Sequence, residues 1–493
     1  MTRTQTLLML VLASWGCGGE PMTPPLPEVW VTVDSGPLSD AATADAGRPD
    51  AALDASRLDA STQPDASAPM DAALDAGPVG ETTASSRIYG EGGAHSLRGL
   101  TRVGDEMLVV GATSVVGAGG REGVFARLGR DGTPRFSRTV GSSRDDVLES
   151  VVFVGGQALA SGRLDNQMAT VWFDAETGEV ARELHHGTGT LHRVVDVGAG
   201  RALAVGGGGY LAHAIVLDAD GDVVRHQTLR VREATGQRFD MTAYDGLMIG
   251  DDIVVAGRAT DSGIITRYWN AVLSRLRPDG TAAWTLLLRP YGQTAFRAVE
   301  IMGDGDLLAV GETEAGPGSS AMFVVRVRPS GEIRWARTLG LPEGTAHAYD
   351  VVVEGERAWV VGRLAGIEGS SRYSGWVVEV DDAGMVVSQQ ALRAEDGGLG
   401  FYEAALSSSG ALLAVGYSYA RSEYALGFAA SVPAEGVLTC DGAVRPAFEV
   451  STPVARSPSM ADYVETEDEE SVEAWSEVGP LRLPAFDVCE SAS

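Results

Sequence analysis

Short apolar stretches that end in glycine recur along most of the sequence, and they constrain its fold more than any other feature. The clearest is Leu307-Leu308-Ala309-Val310-Gly311. The equivalent glycines are Gly111, Gly162, Gly206, Gly257, Gly311, Gly362 and Gly416. Successive glycines lie 51, 44, 51, 54, 51 and 54 residues apart. This period, built on short apolar segments, predicts an array of repeated β units rather than several unrelated domains.

One repeat shows the unit strand by strand. Its apolar segments, separated by Gly-containing turns and one longer polar loop, are Tyr349 to Val353, Arg357 to Gly362, Gly375 to Val380 and Met385 to Ala391. Four short strands joined in this way are typical of one propeller blade. The sequence therefore predicts an all-β fold: a seven-bladed β-propeller of four-stranded blades over residues 85–436.

A family resemblance agrees with this prediction. The strand Phe323 to Val327, followed by Ser330-Gly331 and Trp335, resembles the bacterial β-propeller repeats of the SBBP and delta-sixty kind. The resemblance covers about residues 85–436 and implies a fold, without catalytic residues. Phe136 and Trp284 occupy the place of Trp335 in their own repeats, and we expect all three aromatic side chains to pack between blades.

The start of the repeat region indicates how the ring closes. Ser86-Arg87-Ile88-Tyr89-Gly90 parallels Ala336-Arg337-Thr338-Leu339-Gly340, which is the fourth strand of its repeat. Residues 85–90 would therefore complete the last blade, beside the strand from Ala425 to Val432. Joining the two ends of the repeat region in one blade removes exposed sheet edges. Closure by Val437 to Cys440 is the alternative.

The N-terminal residues predict export and a tether. Arg3 precedes an apolar run from Leu7 to Ala13, which suits a signal peptide over residues 1–16. Gly16-Cys17 resembles a bacterial lipoprotein signal, which implies lipidation of Cys17, and a simple secretory signal is the alternative. Residues 17–84, rich in Ala, Asp and Pro, predict a disordered tether because they contain too few apolar groups to form a core.

Charge and cysteine content limit the possible partners. The formal net charge is −29, which argues against nucleic-acid binding because phosphate contacts need a basic face. Of the three cysteines, Cys440 and Cys489 flank the C-terminal segment, residues 437–493, and predict one disulfide that pins this segment as a strap. Two unpaired thiols are the alternative.

The longer loops carry the candidate ligand-binding residues. Strand alternation places the tight turns on one face of the ring and the long loops on the other. Loops on a rigid scaffold are frequent recognition sites, and Arg, Tyr and Trp are frequent anchors. The candidates in these loops are Arg267, Tyr268, Trp269, Arg372, Tyr373, Tyr417, Tyr419 and Arg421.

Catalytic and metal-binding alternatives have weaker support. No nucleophile elbow, phosphate loop or zinc-binding helix motif is present in the sequence. Asp145, Asp146, Arg238 and Asp240 are the candidates for an active site in the loops between blades. The segment from Asp218 to Asp222 has the composition of a calcium loop, but its place in the repeat predicts a hairpin turn. Five histidines between His185 and His226 match no standard metal site.

These observations predict a monomeric, lipid-anchored β-propeller at the outer membrane or cell surface of a Gram-negative bacterium. Its expected role is to bind or scaffold a protein or glycan of the cell envelope, without a cofactor, a metal or nucleic acid. The alternative is an envelope hydrolase or lyase that acts on glycans. The sequence does not identify the ligand.

Overall fold

The described part of the chain is built from β-strands. The computed structural model describes residues 85–89, 94–114, 120–232, 238–261, 269–288, 292–316, 318–341, 344–367, 370–392, 397–419 and 425–432, together with six short strands of the C-terminal segment. These residues form no α-helix. The signal peptide, Cys17, the tether and both C-terminal cysteines lie outside the described residues.

Consecutive strands pair in antiparallel runs of four, which we call units. The first two units comprise β2 (His95–Val103), β3 (Glu106–Thr113), β4 (Glu122–Leu128) and β5 (Pro134–Gly141), then β6 (Val147–Val154), β7 (Gln157–Leu164), β8 (Gln167–Phe173) and β9 (Val180–Thr188). The next two comprise β10 (Thr190–Gly198), β11 (Arg201–Gly208), β12 (Leu211–Leu217) and β13 (Val223–Arg232), then β14 (Arg238–Ile249), β15 (Asp252–Asp261), β16 (Trp269–Leu276) and β17 (Ala282–Leu288).

The remaining units follow the same pattern. They comprise β18 (Thr294–Ile301), β19 (Leu307–Gly316), β20 (Ser319–Val327) and β21 (Ile333–Gly340), then β22 (Thr345–Glu354), β23 (Arg357–Ala365), β24 (Ser374–Val380) and β25 (Val386–Leu392), and last β26 (Leu399–Leu406), β27 (Leu412–Ser418) and β28 (Leu426–Val432) with β1 (Ser85–Tyr89). Some neighbouring units are also joined by a few paired residues. Between β20 and β22 this pairing is a single residue pair, Ser320 with Thr345.

The start of the described chain closes the structure, as the repeat pattern predicts. β1 pairs antiparallel with β28, from Ser85 opposite Ser431 to Tyr89 opposite Gly427. Tyr89 is buried, and its hydroxyl donates a 2.8 Å hydrogen bond to the carbonyl of Gly132 in the β2–β5 unit. The prediction that the start of the repeat region supplies the fourth strand of the last unit is therefore confirmed for residues 85–89.

The hydrophobic core lies between units rather than within one sheet. In β23, Val360 packs with residues of the β18–β21 unit, whereas its neighbour Val361 packs with Leu399 and Phe401 of the following unit. Alternate residues of a strand point to opposite faces of its sheet, so each central strand supplies both adjoining interfaces. The same packing joins the first unit to the last one, because Leu97 and Val109 share a cluster with Val415.

Aromatic side chains on three of the fourth strands also link their unit to the next. The indole N–H of Trp284 donates to the carbonyl of Pro329 at 2.9 Å, and that of Trp335 donates to the carbonyl of Asp382 at 2.8 Å. Phe136 packs on the turn glycine Gly178 in the same way. The prediction that these three residues pack between units is confirmed.

Short strands of the C-terminal segment pair with the outer edges of the units. They are β29 (Ala443–Val444), β30 (Glu449–Ser451), β31 (Ala461–Glu465), β32 (Val472–Glu473), β33 (Glu477–Pro480) and β34 (Ala485–Asp487). In chain order their partners are β25, β21, β13, β9, β5 and β1, which is the reverse of the unit order except at the closure. This pairing satisfies backbone groups that an edge strand otherwise exposes.

The repeat glycines have a steric role that the strand pairing explains. The first strand of each unit contains a β-bulge, a register shift of one residue opposite the repeat glycine. The bulge pushes a carbonyl oxygen of the first strand onto the glycine, so that a Cβ at any of these glycines would lie 1.8 to 2.1 Å from that oxygen. Only glycine can occupy these positions without moving the innermost strand.

We expect Gly311→Ala to destabilise the fold by about 3 kcal/mol, because its Cβ would lie 1.9 Å from the backbone oxygen of Ala295. The matched control is Gly398→Ala, whose Cβ would meet its nearest atom at 3.6 Å. Urea unfolding of both variants measures the effect. Equal midpoints for the two variants would contradict the steric role of the repeat glycine.

Candidate functional site

The bulged residues of the first strands meet around a central cavity of about 200 Å³. Each bulge lies near the start of the first strand of its unit, just after the long connection, and turns one extra side chain inward. The bulged residues on this lining are Arg98, Glu149, His192, Tyr244, Arg297, Tyr349 and Tyr402. The first strand of every unit therefore contributes a side chain to one cavity.

Two arginines of the cavity wall are fixed by bidentate ion pairs. Nη1 of Arg98 lies 2.9 Å and 2.8 Å from the two carboxylate oxygens of Glu149 in the next unit. Arg297 donates to Glu312 through Nη2 at 2.6 Å and through Nε at 3.1 Å. Burial raises the pKa of Glu149, but the charge and hydrogen bonds of Arg98 outweigh it, so this pKa lies below its usual value. Glu149 is therefore an ionised partner rather than a proton donor.

Arg193 forms the floor of the cavity. Its guanidinium pairs with Glu403 at Nη1, with Asp350 at 3.5 Å and with Asp245 at 3.5 Å. These three carboxylates come from the first strands of three other units. A buried arginine with several carboxylate partners holds those strands at fixed positions around the centre.

The same carboxylates also join neighbouring units through the backbone. Asp245 accepts a hydrogen bond from the N–H of Val299 at 2.8 Å, and Asp350 accepts one from Ala404 at 2.9 Å. Glu403 accepts one from the N–H of Leu100 at 3.1 Å, across the closure of the ring. Each carboxylate therefore contacts both the central arginine and the first strand of the next unit.

The floor separates two chambers. A second cavity of about 300 Å³ lies further along the first strands, toward the tight turns. Arg193 and Glu403 line both cavities, so they stand between them. The second cavity is lined mainly by apolar side chains such as Val194, Val351 and Ala404. The charged and aromatic groups are thus concentrated in the chamber on the side of the long connections.

Burial of so many carboxylates raises their pKa values. Burial raises the pKa of Asp245 to about 6 although Arg193 opposes the shift. The pKa of Glu300, a residue of the second cavity, is raised to about 7 by burial and by the charge of Asp245. Burial likewise raises the pKa of Glu403 and of Asp350. His192 shows the converse effect, because burial lowers its pKa to about 4 and leaves the imidazole neutral.

Stacked arginines and aromatic rings form the mouth of the first cavity. The guanidinium of Arg258 lies 4.3 Å from the ring centroid of Trp269 and 5.6 Å from that of Tyr244. Arg363 lies 4.2 Å from the ring of Tyr373 and 5.5 Å from that of Tyr349. These distances are within the range of cation–π interactions. Both arginines are half-buried.

A row of tyrosines continues this surface toward the last unit. The ring centroids of Tyr349 and Tyr402 are 5.3 Å apart, those of Tyr402 and Tyr417 are 5.3 Å apart, and those of Tyr417 and Tyr419 are 5.6 Å apart. Arg363 donates a 3.1 Å hydrogen bond to the hydroxyl of Tyr417. Only Tyr419 in this row is extensively exposed, at 43%. The row therefore extends from the cavity to the surface.

The structure brings several of the sequence-predicted ligand-binding residues to this mouth. Trp269 and Tyr373 stack under arginines, and Tyr417 and Tyr419 belong to the tyrosine row. Arg372 is exposed in the segment before β24. Arg267, Tyr268 and Arg421 lie outside the described residues.

Two loop placements were wrong. Tyr417 lies in β27 and is buried, at 5% exposure, because that strand continues past the repeat glycine Gly416. Trp269 is the first residue of β16, where it pairs with Thr260. Both side chains are positioned by a sheet rather than by a flexible loop.

The residues considered for catalysis do not line the central cavity. Asp145 is in the connection between β5 and β6 and pairs with Arg121 at 3.7 Å. Asp146 is buried and accepts a 2.7 Å hydrogen bond from the N–H of Asp165, so it fixes the local backbone. The placement of Arg238 and Asp240 in a loop was wrong, because both lie in β14, which begins earlier than the sequence pattern suggested.

The calcium-like segment is a hairpin turn, as its place in the repeat predicts. One carboxylate oxygen of Asp218 accepts hydrogen bonds from the N–H groups of Asp220 at 3.0 Å and Asp222 at 2.9 Å. Within the described residues no group of three or more His, Cys, Asp or Glu side chains is arranged to hold a metal ion. The same residues include no helix that is long and apolar enough to cross a membrane.

The sequence pattern did not indicate the inward-facing residues of the first strands. A signal for the mouth was present, because Arg258 and Arg363 directly follow the repeat glycines Gly257 and Gly362. The bulged residues gave no comparable signal, because a single inserted residue cannot be located from alternation alone.

The chain was compared with known protein families, curated proteins and solved structures. No protein-family model matches the chain, and no curated protein matches it. Similar solved structures include Drosophila Plexin A in complex with Semaphorin 1b, at 9% identity and a TM-score of 0.43, covering 72% of this chain and 87% of that one. The Dos1 propeller has 10% identity and a TM-score of 0.44, covering 70% and 86%. Hydrazine synthase of Kuenenia stuttgartiensis has 14% identity and a TM-score of 0.39, covering 61% and 93%.

The fold is a β-propeller. This follows from the antiparallel four-strand units, from the closure of β28 by β1 and from the first strands that surround one central cavity. The similarities above concern the fold alone and give no ligand.

The raised carboxyl pKa values predict a pH-dependent stability. A carboxyl whose pKa is higher in the folded state stabilises the protein at low pH, and this stability is lost as the pH rises through the folded pKa. For Glu300 that pKa is about 7. Buried neutral histidines act in the opposite direction, but only below their unfolded pKa of about 6.5.

We therefore expect the unfolding temperature to fall by about 2 °C between pH 6.5 and 8.5. Differential scanning calorimetry of Glu300→Gln should show a weaker dependence over this interval, and the exposed Glu356→Gln should behave like the unchanged protein. The same pH dependence in all three proteins would show that Glu300 does not titrate as described.

Proposed function

We propose that this chain is a seven-bladed β-propeller that binds a ligand at the mouth of its central cavity and is held at the cell envelope by a lipid anchor. The observation that carries the binding role is the cluster of stacked arginines and aromatic rings around that mouth. Arginine, tyrosine and tryptophan are the residues that most often contribute binding energy at recognition sites.

The blade number rests on the strand pairing. The runs of four strands, with β1 as the fourth strand of the last run, supply seven first strands, and each contributes to the lining of the same cavity. The joined sheets are compatible with this count, because β13 and β14 share only two residue pairs. Each blade would thus present one bulged residue to the centre.

A binding role fits the cavity better than catalysis. Glu149 and Glu312 are engaged in hydrogen-bonded ion pairs with Arg98 and Arg297. Burial raises the pKa of Tyr349 and that of Tyr402, so both phenols stay protonated at neutral pH and supply no phenolate base. General acid–base chemistry needs a group whose pKa lies near the working pH and which can reach the substrate. Burial raises the pKa of Asp245 to about 6 and also raises that of Glu403, but both carboxyl groups are held by Arg193 and by backbone N–H groups of the next unit, so they too serve structural contacts.

The proposed location rests on the N-terminal sequence. Gly16-Cys17 follows a short apolar run, and the acidic tether of residues 17–84 would allow the propeller to stand about 45 Å or more from its anchor. We further propose that a disulfide between Cys440 and Cys489 fastens the C-terminal segment around the propeller, which requires an oxidising compartment.

Cys17→Ser should move the protein from the membrane fraction to the soluble fraction of its native host, because the thiol would carry the lipid chains. Fractionation followed by immunoblotting measures the distribution. The serine variant remaining in the membrane fraction to the same extent as the unchanged protein would reject the anchor.

The binding site is tested by a screen of glycans, small polar molecules and envelope extracts with the Cys17→Ser protein. For any ligand found, Trp269→Ala, Tyr373→Ala and Arg363→Ala should each reduce the binding free energy by about 1–4 kcal/mol. Arg144→Ala is the matched control, because Arg144 is exposed in a long connection and does not line the cavity. Isothermal titration calorimetry measures these affinities. Loss of binding in Arg144→Ala alone would place the site elsewhere on that face.

A further inference from the structure

The mouth of the central cavity concentrates positive charge in a strongly acidic protein. The chain has a net charge of −29, yet arginine predominates at this mouth. The four arginines at the mouth are Arg98, Arg258, Arg297 and Arg363. Two glutamates pair with two of them, and the other carboxylates of the cavity, Asp245, Asp350 and Glu403, lie on its floor and pair with Arg193, so the two remaining positive charges are at the mouth. Such a local excess attracts anions although the whole chain repels them.

The two remaining arginines are presented by aromatic rings. Among the described residues no carboxylate pairs with Arg258 or Arg363, and the guanidinium Nε of each is buried without a hydrogen-bond acceptor. The terminal nitrogens of Arg363 lie 3.1 Å from the hydroxyl of Tyr417 and 3.4 Å from Nδ1 of His347, which are both neutral partners. A guanidinium held flat on an aromatic ring directs its terminal N–H groups sideways, where an oxyanion can accept from them. At Arg363 an oxyanion would replace the neutral partners Tyr417 and His347 and form stronger, charge-assisted bonds.

The rest of the lining favours a ligand that carries many hydroxyl groups. Tyr244, Tyr349 and Tyr402 line the cavity together with the neutral His192. Phenol and imidazole groups can both donate and accept hydrogen bonds. An apolar ligand would leave these groups unpaired, whereas a polyol would satisfy them.

The size of the cavity limits the ligand to one small ring. Its volume is about 200 Å³. At about 30 Å³ for each water molecule in the liquid, this corresponds to roughly seven waters. A single sugar ring with its hydroxyl groups is of this size, whereas a longer glycan would have to continue outward along the tyrosine row toward Tyr419.

From these observations we infer that the cavity binds a single sugar ring that carries an oxyanion, either a carboxylate or a phosphate. This inference rests on the proposed binding function and specifies its ligand class. The oxyanion lies between Arg258 and Arg363, and the hydroxyl groups of the sugar bond to the tyrosines below. Glu149 and Glu312 hold Arg98 and Arg297 in place and exclude additional anions from that part of the wall.

The test is isothermal titration calorimetry of the full chain carrying Cys17→Ser with glucuronate, glucose 6-phosphate and glucose. At least one of the two anionic sugars should bind about tenfold or more tightly than glucose, because charge-assisted hydrogen bonds are the stronger ones. Which of the two binds more tightly identifies the oxyanion. Added salt should weaken the binding of the anionic sugars but not that of glucose.

Two variants and one control complete the design. Arg258→Gln and Arg363→Gln should each weaken binding of the preferred anionic sugar about tenfold, and Arg144→Gln should leave it unchanged. Unfolding temperatures verify that all three variants are folded. Binding of neither anionic sugar, or equal binding of glucose, would overturn the inference. The proposed function would still stand if a different ligand from the screen lost affinity in Trp269→Ala and Tyr373→Ala.

Discussion

The close contact between a bulged first strand and a repeat glycine is the constraint on which the rest of the structure depends. At Gly311 there is no room for a Cβ, because the carbonyl of Ala295 lies where it would be. The contact recurs in each unit and turns one additional side chain toward the centre. The sequence period and the lining of the cavity therefore have a common physical origin.

The centre combines two kinds of electrostatic arrangement with different consequences. Arg193 and its carboxylate partners are buried, joined to the backbone of neighbouring units and shared between the two cavities. They position the strands, and their protonation couples stability to pH. Arg258 and Arg363 are instead held by aromatic rings near the surface, so their charges remain available to a ligand. The ion pairs around Arg193 hold the strands in place, and the positions of Arg258 and Arg363 at the mouth depend on that arrangement.

Much of the fold could be predicted from the sequence because its signals are local and repeated. Four strands per repeat, tight turns at glycine and the orphan strand ending in Tyr89 all follow from period and alternation. Packing of Phe136 and Trp335 between units follows from their constant place after a turn. Each of these features can be recognised from a short stretch of sequence, although the pairing of β1 with β28 joins distant parts of the chain.

The site could be predicted only in part. Trp269 and Tyr373 could be selected by residue type. The sequence pattern assigned them and Tyr417 to loops, and it did not indicate that the three side chains lie at the mouth of one cavity. Their convergence depends on the bulges, which shift the register by one residue and bring Tyr349 and Tyr402 inward. A one-residue shift exchanges the two faces of a strand, and alternation in a single sequence does not locate it.

The central claim is that recognition takes place where the bulged first strands meet. A crystal structure of the protein soaked with the tightest ligand from the screen tests this most directly. The account predicts ligand density in the central cavity, in contact with Tyr349 and Tyr402 and within hydrogen-bonding distance of Arg258 or Arg363. Ligand density on the tight-turn face or on the outer strands, with only water in the central cavity, would contradict it.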